Sequence, residues 1–339
     1  MILVTGGTGL VGSHLLYNLS LENDIVKATY RKNSDLNAVK SVFAYYTSNF
    51  ETLFNKIDWI EADITDVFSL ELAFANVTKV YHAAAFISFD PRDYKIMRKV
   101  NIDGTANIVN LCIEKNIQKL CFVSSVASID KSMNSKIVDE TNEWNFENSN
   151  YGYAITKYGG EMEVWRASQE GVDVVIVNPG VILGAGFWKN GPGAIFDKIY
   201  KGLNFYSEGI TAYVAVEDVV KVMVLLMKGN IKNERYILVS ENLSFRTVFN
   251  KIADSIGKKR PSIKVTKIMS ELVWRFESIK TLISNKPPIL TKHSSKSIHN
   301  KFIYSSEKIK KDLNYKFESI DNCIERICKQ YLKTHKVSF

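Results

Sequence analysis

The chain has 339 residues, 46% of them hydrophobic and 24% charged, with a formal net charge of +8. That length accommodates about two domains. The apolar fraction excludes wholesale disorder, and 18 glycines with 6 prolines exclude a collagen-like or low-complexity chain. No apolar run approaches the roughly 18 residues of a membrane span. The best candidate, Val222 to Met227, is short and lies between Lys221 and Lys228. Met1-Ile2-Leu3-Val4 runs directly into a glycine-rich loop, so no leader segment is expected. Four cysteines are too few for a disulfide framework, and Cys323 and Cys328 match no common zinc spacing, so no metal site is expected. These features describe a reduced, cytoplasmic protein without integral membrane segments.

Ile2-Leu3-Val4 is a short apolar strand, followed by a glycine loop and a helix with Leu15, Leu16 and Leu19 on one face. Strands are expected at Asp24–Tyr30, Ile57–Ile60 and Lys79–Tyr81, with a helix at Val67–Ala75. A long helix covers roughly Tyr94 to Lys115, and the strand Leu120–Val123 ends at Ser124-Ser125. A helix at Tyr151–Gln169 and a strand at Val172–Val177 follow, with Cys112 and Cys121 as small core residues. Short, fully apolar strands alternating with helices imply a doubly wound parallel sheet, the Rossmann-type α/β architecture. Ligands in such sheets bind at the carboxyl ends of the strands. Farther on, Tyr213–Val216 and Arg235–Val239 read as strands flanking the helix Val219–Lys228, and the second is expected to join the main sheet. Ser244 N-caps a helix to Ile256. Ile268, Met269, Leu272, Val273, Phe276, Ile279, Leu282 and Ile283 recur at helical spacing before Lys286-Pro287-Pro288 stops the helix, and Asp321–Lys333 is a final amphipathic helix.

Thr5-Gly6-Gly7-Thr8-Gly9-Leu10-Val11-Gly12 contains G-x-G-x-x-G between a strand and a helix. Missing side chains let the backbone turn tightly and approach a pyrophosphate, at which the next helix points its free N–H groups. A dinucleotide is therefore expected over Gly6, Gly9, Leu10, Val11 and Gly12. The second strand ends in Ala28-Thr29-Tyr30-Arg31-Lys32, with no acid to accept from a ribose 2′-OH. Arg31 can clamp a 2′-phosphate with its planar fork, and Lys32 adds charge. NADP(H) is the expected cofactor and NAD(H) the alternative.

Tyr153-x-x-x-Lys157 lies at the start of a helix, and spacing of four puts both side chains on one face. The ammonium is expected to lower the phenol pKa, fitting Tyr153 to exchange a proton with a carbonyl oxygen. Ser125, at a strand end, can hydrogen-bond the same oxygen.

In this combination the chain resembles the extended short-chain dehydrogenase/reductases, the NAD-dependent epimerase/dehydratase superfamily. The carrying residues are Thr5-Gly6-x-x-Gly9-x-x-Gly12, Glu61-Ala62-Asp63-Ile64, His82-Ala83-Ala84 and Asn101-Ile102-Asp103-Gly104-Thr105. They continue with Val123-Ser124-Ser125, Tyr153-x-x-x-Lys157, Asn178-Pro179-Gly180, Val216-Glu217-Asp218-Val219 and Tyr304-Ser305-Ser306. The resemblance implies that Asp63 and Ile64 meet the adenine and that Ala83 and Ala84 line the cofactor. It also implies that Lys157 bonds the nicotinamide ribose and that Pro179, Gly180 and Val181 lie against the nicotinamide. Asn101 joins Ser125, Tyr153 and Lys157 in the catalytic set, setting the active-site helix and a proton-relay water. Strand alternation lets only one of Ser124 and Ser125 face the site, and the family pattern favours Ser125. His82 reads as a structural strand-end histidine. The implied domains are a nucleotide-binding unit at 1–180 and 209–240, and a smaller, mostly helical substrate unit at 181–208 and 241–339.

Dehydratases of this kind carry an Asp-Glu pair after the catalytic hydroxyl. Val126-Ala127 stands there instead. The Asn178–Gly184 run, Arg31 and Ala85–Pro91 resemble the dihydroflavonol-reductase-like and 3β-hydroxysteroid-dehydrogenase-like branch. The leading expectation is an NADP(H)-dependent oxidoreductase acting on a small carbonyl or alcohol substrate. The alternatives are a sugar-nucleotide epimerase and a non-enzymatic cofactor sensor or nucleic-acid binder. The pocket is expected from segments 86–89, 129–144 and 183–196, with Phe86, Phe89, Trp144, Phe187 and Trp188 as an aromatic lining. A homodimer through helices around 94–115 and 152–169 accords with the resemblance, as does a monomer.

The charge divides sharply. Residues 1–180 carry −6 and residues 181–339 carry +14, with 16 basic and 5 acidic residues between Lys251 and Lys316. With 35 lysines to 9 arginines, this excess is expected to be a solvated face, the competing readings being attraction for an anionic substrate or the cofactor phosphates and an anionic lipid or nucleic-acid surface; no nucleic-acid partner is expected. The stripe from Ile268 to Ile283 is expected to pack in the small domain's core, with a membrane-surface helix as the competing reading.

Overall fold

The computed structural model describes residues 1–130, 137–146, 151–189, 191–284, 288 and 290–336. The expected helix stop at Lys286-Pro287 and residues 131–136 of the expected pocket lie outside these. Seven strands form the main sheet: β1 (Ile2–Thr5), β2 (Val26–Tyr30), β3 (Ile57–Glu61), β4 (Lys79–His82), β5 (Lys119–Val123), β6 (Asp173–Pro179) and β7 (Glu234–Leu238). All pairings are parallel, in the order β7-β6-β5-β4-β1-β2-β3. Strand order reverses between β1 and β4, which opens a crevice there at the carboxyl edge.

The strands are apolar on both faces because both are covered. Leu3, Val80, Leu120, Phe122, Val174 and Ile176 belong to one core, while Val4, Tyr81, Cys121, Val123, Val175 and Val177 belong to the other. This is the period of two expressed in a sheet sandwiched by helices. The helical region expected at 94–115 is an α-turn Tyr94–Arg98, a π-helical segment Lys99–Asp103 and the helix Gly104–Glu114. The wider π turn carries Asn101.

Beyond β6 the chain enters a three-stranded sheet. Val181–Leu183 pairs parallel with Ile210–Ala215, which pairs antiparallel with Glu241–Ser244. Residues 210–215, grouped by sequence with the nucleotide-binding unit, thus pair with strands grouped with the substrate unit. Ser244 caps the helix Phe245–Ser255 by accepting from the Thr247 amide at 3.0 Å. That helix packs with Ile320–Lys336 around Phe196, Tyr213, Ile252, Ile324 and Tyr331.

The helix Lys267–Ser284 departs from expectation. Ile268, Leu272, Phe276 and Ile279 are 74%, 60%, 79% and 60% exposed. The inner face carries polar Ser270, buried and bonded to His299 at 2.9 Å. The helical period marked the apolar face correctly but assigned it to the wrong side. Among the described residues no helix is long and apolar enough to cross a membrane.

At the amino edge of the sheet, lysines at strand starts close helix C-termini. Lys119 Nζ donates to the carbonyls of Leu226 and Gly229 at 2.7 and 2.9 Å, and Lys79 Nζ to that of Met227 at 3.2 Å. Lys27 does the same for Ala75 at 2.7 Å. Carbonyls at a helix end lack intrahelical donors and carry partial negative charge. Lys119→Met keeps the aliphatic stem and removes the ammonium. It is expected to cost about 1.5–3 kcal/mol of unfolding free energy, read from denaturant titration.

Candidate active site

The glycine loop lies at the β1/β4 crevice, and its glycines answer to different constraints. Gly6 has φ +73°, and a Cβ there would sit 2.5 Å from the Ala84 amide nitrogen. At Gly12 a Cβ would come 2.1 Å from the Gly6 carbonyl oxygen. Gly9 differs, because its nearest neighbour would be the Gly6 oxygen at an ordinary 3.5 Å. The chain itself would tolerate a side chain at Gly9, so the glycine keeps the outer surface of the loop open. Gly9 also opens the helix Leu10–Glu22 with no side-chain cap and no acid in the first turn. The first-turn N–H groups, those of Leu10 and Val11 among them, therefore point outward from a positive dipole end, as a phosphate cradle requires.

Arg31 and Lys32 are exposed just past β2. The nearest following acid, Asp35, caps the helix Leu36–Tyr46 through Oδ1, accepting from the amides of Asn37 and Ala38. Ser34 ties this turn to the glycine loop, taking bonds from the Arg31 amide at 3.0 Å and the Thr8 hydroxyl at 3.3 Å. Past β3, Asp63 Oδ1 accepts from the amide and hydroxyl of Thr65, both at 2.8 Å. Ile64 is buried and its carbonyl accepts from Asn107. Ala83 and Ala84 follow β4 directly against Gly6.

β5 delivers the serines, and alternation separates them. Ser124 turns inward to Glu161 at 2.8 Å. Ser125 accepts from the Ala127 amide at 3.1 Å and lies next to Tyr153, which is carried by the helix Gly152–Gln169. Burial pushes the Tyr153 phenol up to about 12, against the pull of the Ser125 hydroxyl. This reverses the depression expected from Lys157. The reason lies in Lys157 itself, whose Nζ turns to the Val123 carbonyl at 2.7 Å and sits 4.5 Å from the Phe122 ring centre. Burial holds its ammonium down to about 7, with Glu161 pulling upward.

Asn101 uses its amide as a clamp. Oδ1 accepts from the Phe86 amide at 2.8 Å, while Nδ2 donates to the Phe86 carbonyl and the Thr156 hydroxyl at 2.9 and 3.1 Å. It thereby locks the loop after β4 to the helix bearing Tyr153 and Lys157. His82 is fully buried between the hydroxyls of Thr5 and Thr105, and burial lowers it to about 3. A neutral, doubly bonded imidazole is a structural part.

The expected aromatic lining divides. Phe89 packs over Tyr151 and Tyr153, with ring centres 5.9 and 6.4 Å apart. Phe86 is brought to the site by Asn101. Trp144 stacks on Tyr158 at 4.5 Å, which lies off the helix face shared by Tyr153 and Lys157. Trp188 is partly buried and packs against the small-domain core, edge-on to Tyr331 at 5.1 Å and Phe196 at 6.1 Å. Phe187 lies on the loop before the helix Gly193–Tyr200, and Pro179, Gly180 and Val181 bridge β6 to the small sheet.

A sequence profile of the NAD dependent epimerase/dehydratase family matches residues 2–238. The chain belongs to that family. Among curated relatives, sterol demethylase protein B of Methylococcus capsulatus is 26% identical over 267 residues, covering 78% of this chain and 76% of that protein. A putative dihydroflavonol 4-reductase of Synechocystis is 29% identical over 269 residues, covering 76% and 73%. The UDP-glucose 4-epimerase of Thermotoga maritima, solved with UDP-glucose, shares the fold with TM-score 0.75, 20% identity, and coverage of 98% and 99%. Epimerase/dehydratase-family proteins are NAD(P)-dependent enzymes acting on CH–OH or carbonyl groups, and this chain is one of them.

Sequence reasoning missed Glu161, Arg235 and Tyr151. Glu161 is wholly buried and accepts from Ser124, Ser128 and Asn178, while its other oxygen pairs with Arg235 at 3.2 Å. Arg235 also donates to the carbonyls of Glu140 and Asn142. Glu161 could have been found: Tyr153, Lys157 and Glu161 are spaced by four on one helix face. The glycine geometry makes a separable prediction. Gly9→Ala should keep its melting temperature and lose at least about tenfold in dinucleotide affinity. Gly12→Ala should unfold more easily by about 1–3 kcal/mol.

Proposed function

We propose that the chain is an NADPH-dependent reductase that converts a ketone or aldehyde to an alcohol. The observation that carries this reading is the placing of Ser125, at the carboxyl end of β5, next to the buried Tyr153 phenol, whose acidity it raises. This brings together two hydroxyls that can both reach one carbonyl oxygen. The reductase names of several relatives, among them cinnamoyl-CoA reductase 1 of Petunia hybrida, support the direction. Val126-Ala127 after Ser125 offers neither acid nor base for eliminating water.

The residues present fit the dinucleotide: an open face at Gly9, an uncapped helix start, and Arg31 beside a turn whose acid is engaged in capping. Gly6, Gly9, Leu10, Val11 and Gly12 would hold the pyrophosphate, Arg31 and Lys32 the 2′-phosphate, and Asp63 and Ile64 the adenine. Ala83, Ala84, Pro179, Gly180 and Val181 would line the remainder. When bound, NADPH supplies the hydride. Ser125 orients and polarises the substrate oxygen by hydrogen bonding. Tyr153 passes its phenolic proton to that oxygen as negative charge develops there. Lys157 has donors beyond the one given to Val123, and these would reach the nicotinamide ribose. Asn101 is a positioning residue, fixing the Phe86 loop against the catalytic helix. Phe89 and Tyr151, grouped beside Tyr153, would form an aromatic wall suited to an apolar carbonyl substrate, with Phe86 on the loop that Asn101 holds.

Tyr153→Phe should reduce turnover by about 10²–10⁴-fold with NADPH binding unchanged. A fully active variant would overturn the mechanism, and tightly retained cofactor with no net NADPH oxidation would favour the epimerase reading. Because burial holds Tyr153 near 12, the phenol stays protonated through neutral pH. Alcohol oxidation, which needs the phenolate, should therefore climb between about pH 6 and 9. A reverse reaction that slows over that range would count against Tyr153 as the base. Arg31→Gln should weaken NADPH about tenfold and leave NADH unaffected, measured by fluorescence titration.

A further inference from the structure

We propose that the helix Lys267–Ser284 docks this protein on the surface of an anionic lipid bilayer. In this arrangement Ile268, Leu272, Phe276 and Ile279 lie in the interface, and Lys264, Lys267 and Lys301 face the headgroups.

Spacings of four, four and three place the four apolar side chains in one narrow stripe. All are at least 60% exposed, Phe276 the most at 79%. Arg275 and Lys280, both exposed, fall on opposite flanks of the stripe and pair along the helix with Glu271 and Glu277 at 2.6 and 3.1 Å. A stripe of this kind, apolar at the centre with charged flanks, matches an interfacial helix.

The charge around it selects the occupant. From Lys258 to Lys301 there are 11 basic residues and 2 acidic ones. Near the start of the helix, a cleft of about 300 Å³ is lined by Lys264, Lys267, Lys301 and His299, with Glu208 as its one acid. An exposed apolar stripe on a strongly basic segment is a pair of features that a phospholipid surface satisfies together: acyl boundary for the stripe, anionic heads for the surrounding charge. A second copy of the chain would bring the same positive face and repel it. Nucleic acid would satisfy the lysines and leave Phe276 and Leu272 in water.

The helix is also connected to the substrate side. It packs against the short helix Lys292–Ser297, whose His293 stacks on Tyr151 at 3.7 Å between ring centres. Tyr151 neighbours Phe89 and Tyr153. Docking would thus bring the aromatic end of the site toward the lipid.

The test is sedimentation of the full chain with vesicles of phosphatidylcholine alone and of phosphatidylcholine with about 30% phosphatidylserine. The chain should pellet with the anionic vesicles at least about tenfold more strongly than with neutral ones, and lose this in about 1 M salt. Leu272→Glu/Phe276→Glu and, separately, Lys264→Gln/Lys267→Gln should each reduce pelleting about tenfold at unchanged melting temperature. Equal pelleting with both vesicle types, or an unchanged Leu272→Glu/Phe276→Glu variant, would overturn the proposal. So would size-exclusion data showing a dimer that this double variant dissociates, which would assign the face to a second copy.

Discussion

The arrangement of the site depends on one buried charge. Glu161 has none of its surface exposed, and a carboxylate in that position is tolerated only when paired and hydrogen-bonded. Its partners come from four parts of the chain: Ser124 at the end of β5, Ser128 just beyond, Asn178 on β6 and Arg235 on β7. Through Arg235 it also reaches the carbonyls of Glu140 and Asn142. Three adjacent strands and the segment around Glu140 and Asn142 are held to the same helix face that presents Tyr153 and Lys157. Ser125 can aim outward because its neighbour is held inward.

A second clamp acts from the opposite side. Asn101 fastens the Phe86 backbone and Thr156 together from within a π-helical turn. The helix Gly152–Gln169 is thus fixed on two flanks, by a carboxylate beneath β5–β7 and an amide beside β4. Lys157 extends between them, with its ammonium near a carbonyl and an aromatic face, and its protonation poised close to neutrality. Both clamps act through groups that need never touch a substrate.

Much of this was legible in the sequence, for definable reasons. The strands were readable because a doubly covered sheet demands unbroken apolar runs, and the glycine loop because steric exclusion leaves no other residue at Gly6 and Gly12. Glu161 was not legible as a core residue, since a glutamate on an amphipathic helix ordinarily faces water. Only the four-residue spacing hinted otherwise. The stripe from Ile268 to Ile279 shows where the pattern stops being informative. Core packing was expected for it, and it lies at the surface. Periodicity reports which residues share a face, while the identity of what covers that face is a property of the tertiary arrangement. The Tyr153 pKa failed for a related reason: spacing put Lys157 near the phenol, but burial dominated both groups.

The lysines beneath the sheet give the molecule an electrical direction. Along the amino edge, Lys27, Lys79 and Lys119 neutralise the negative ends of helices with internal cations. Along the other edge, the first helix keeps its positive end bare. The two rims of one sheet are therefore not interchangeable: one is internally compensated, and the other is left short of negative charge. An anion meeting this domain finds a single face on which to settle, whatever the sign of the domain's total charge.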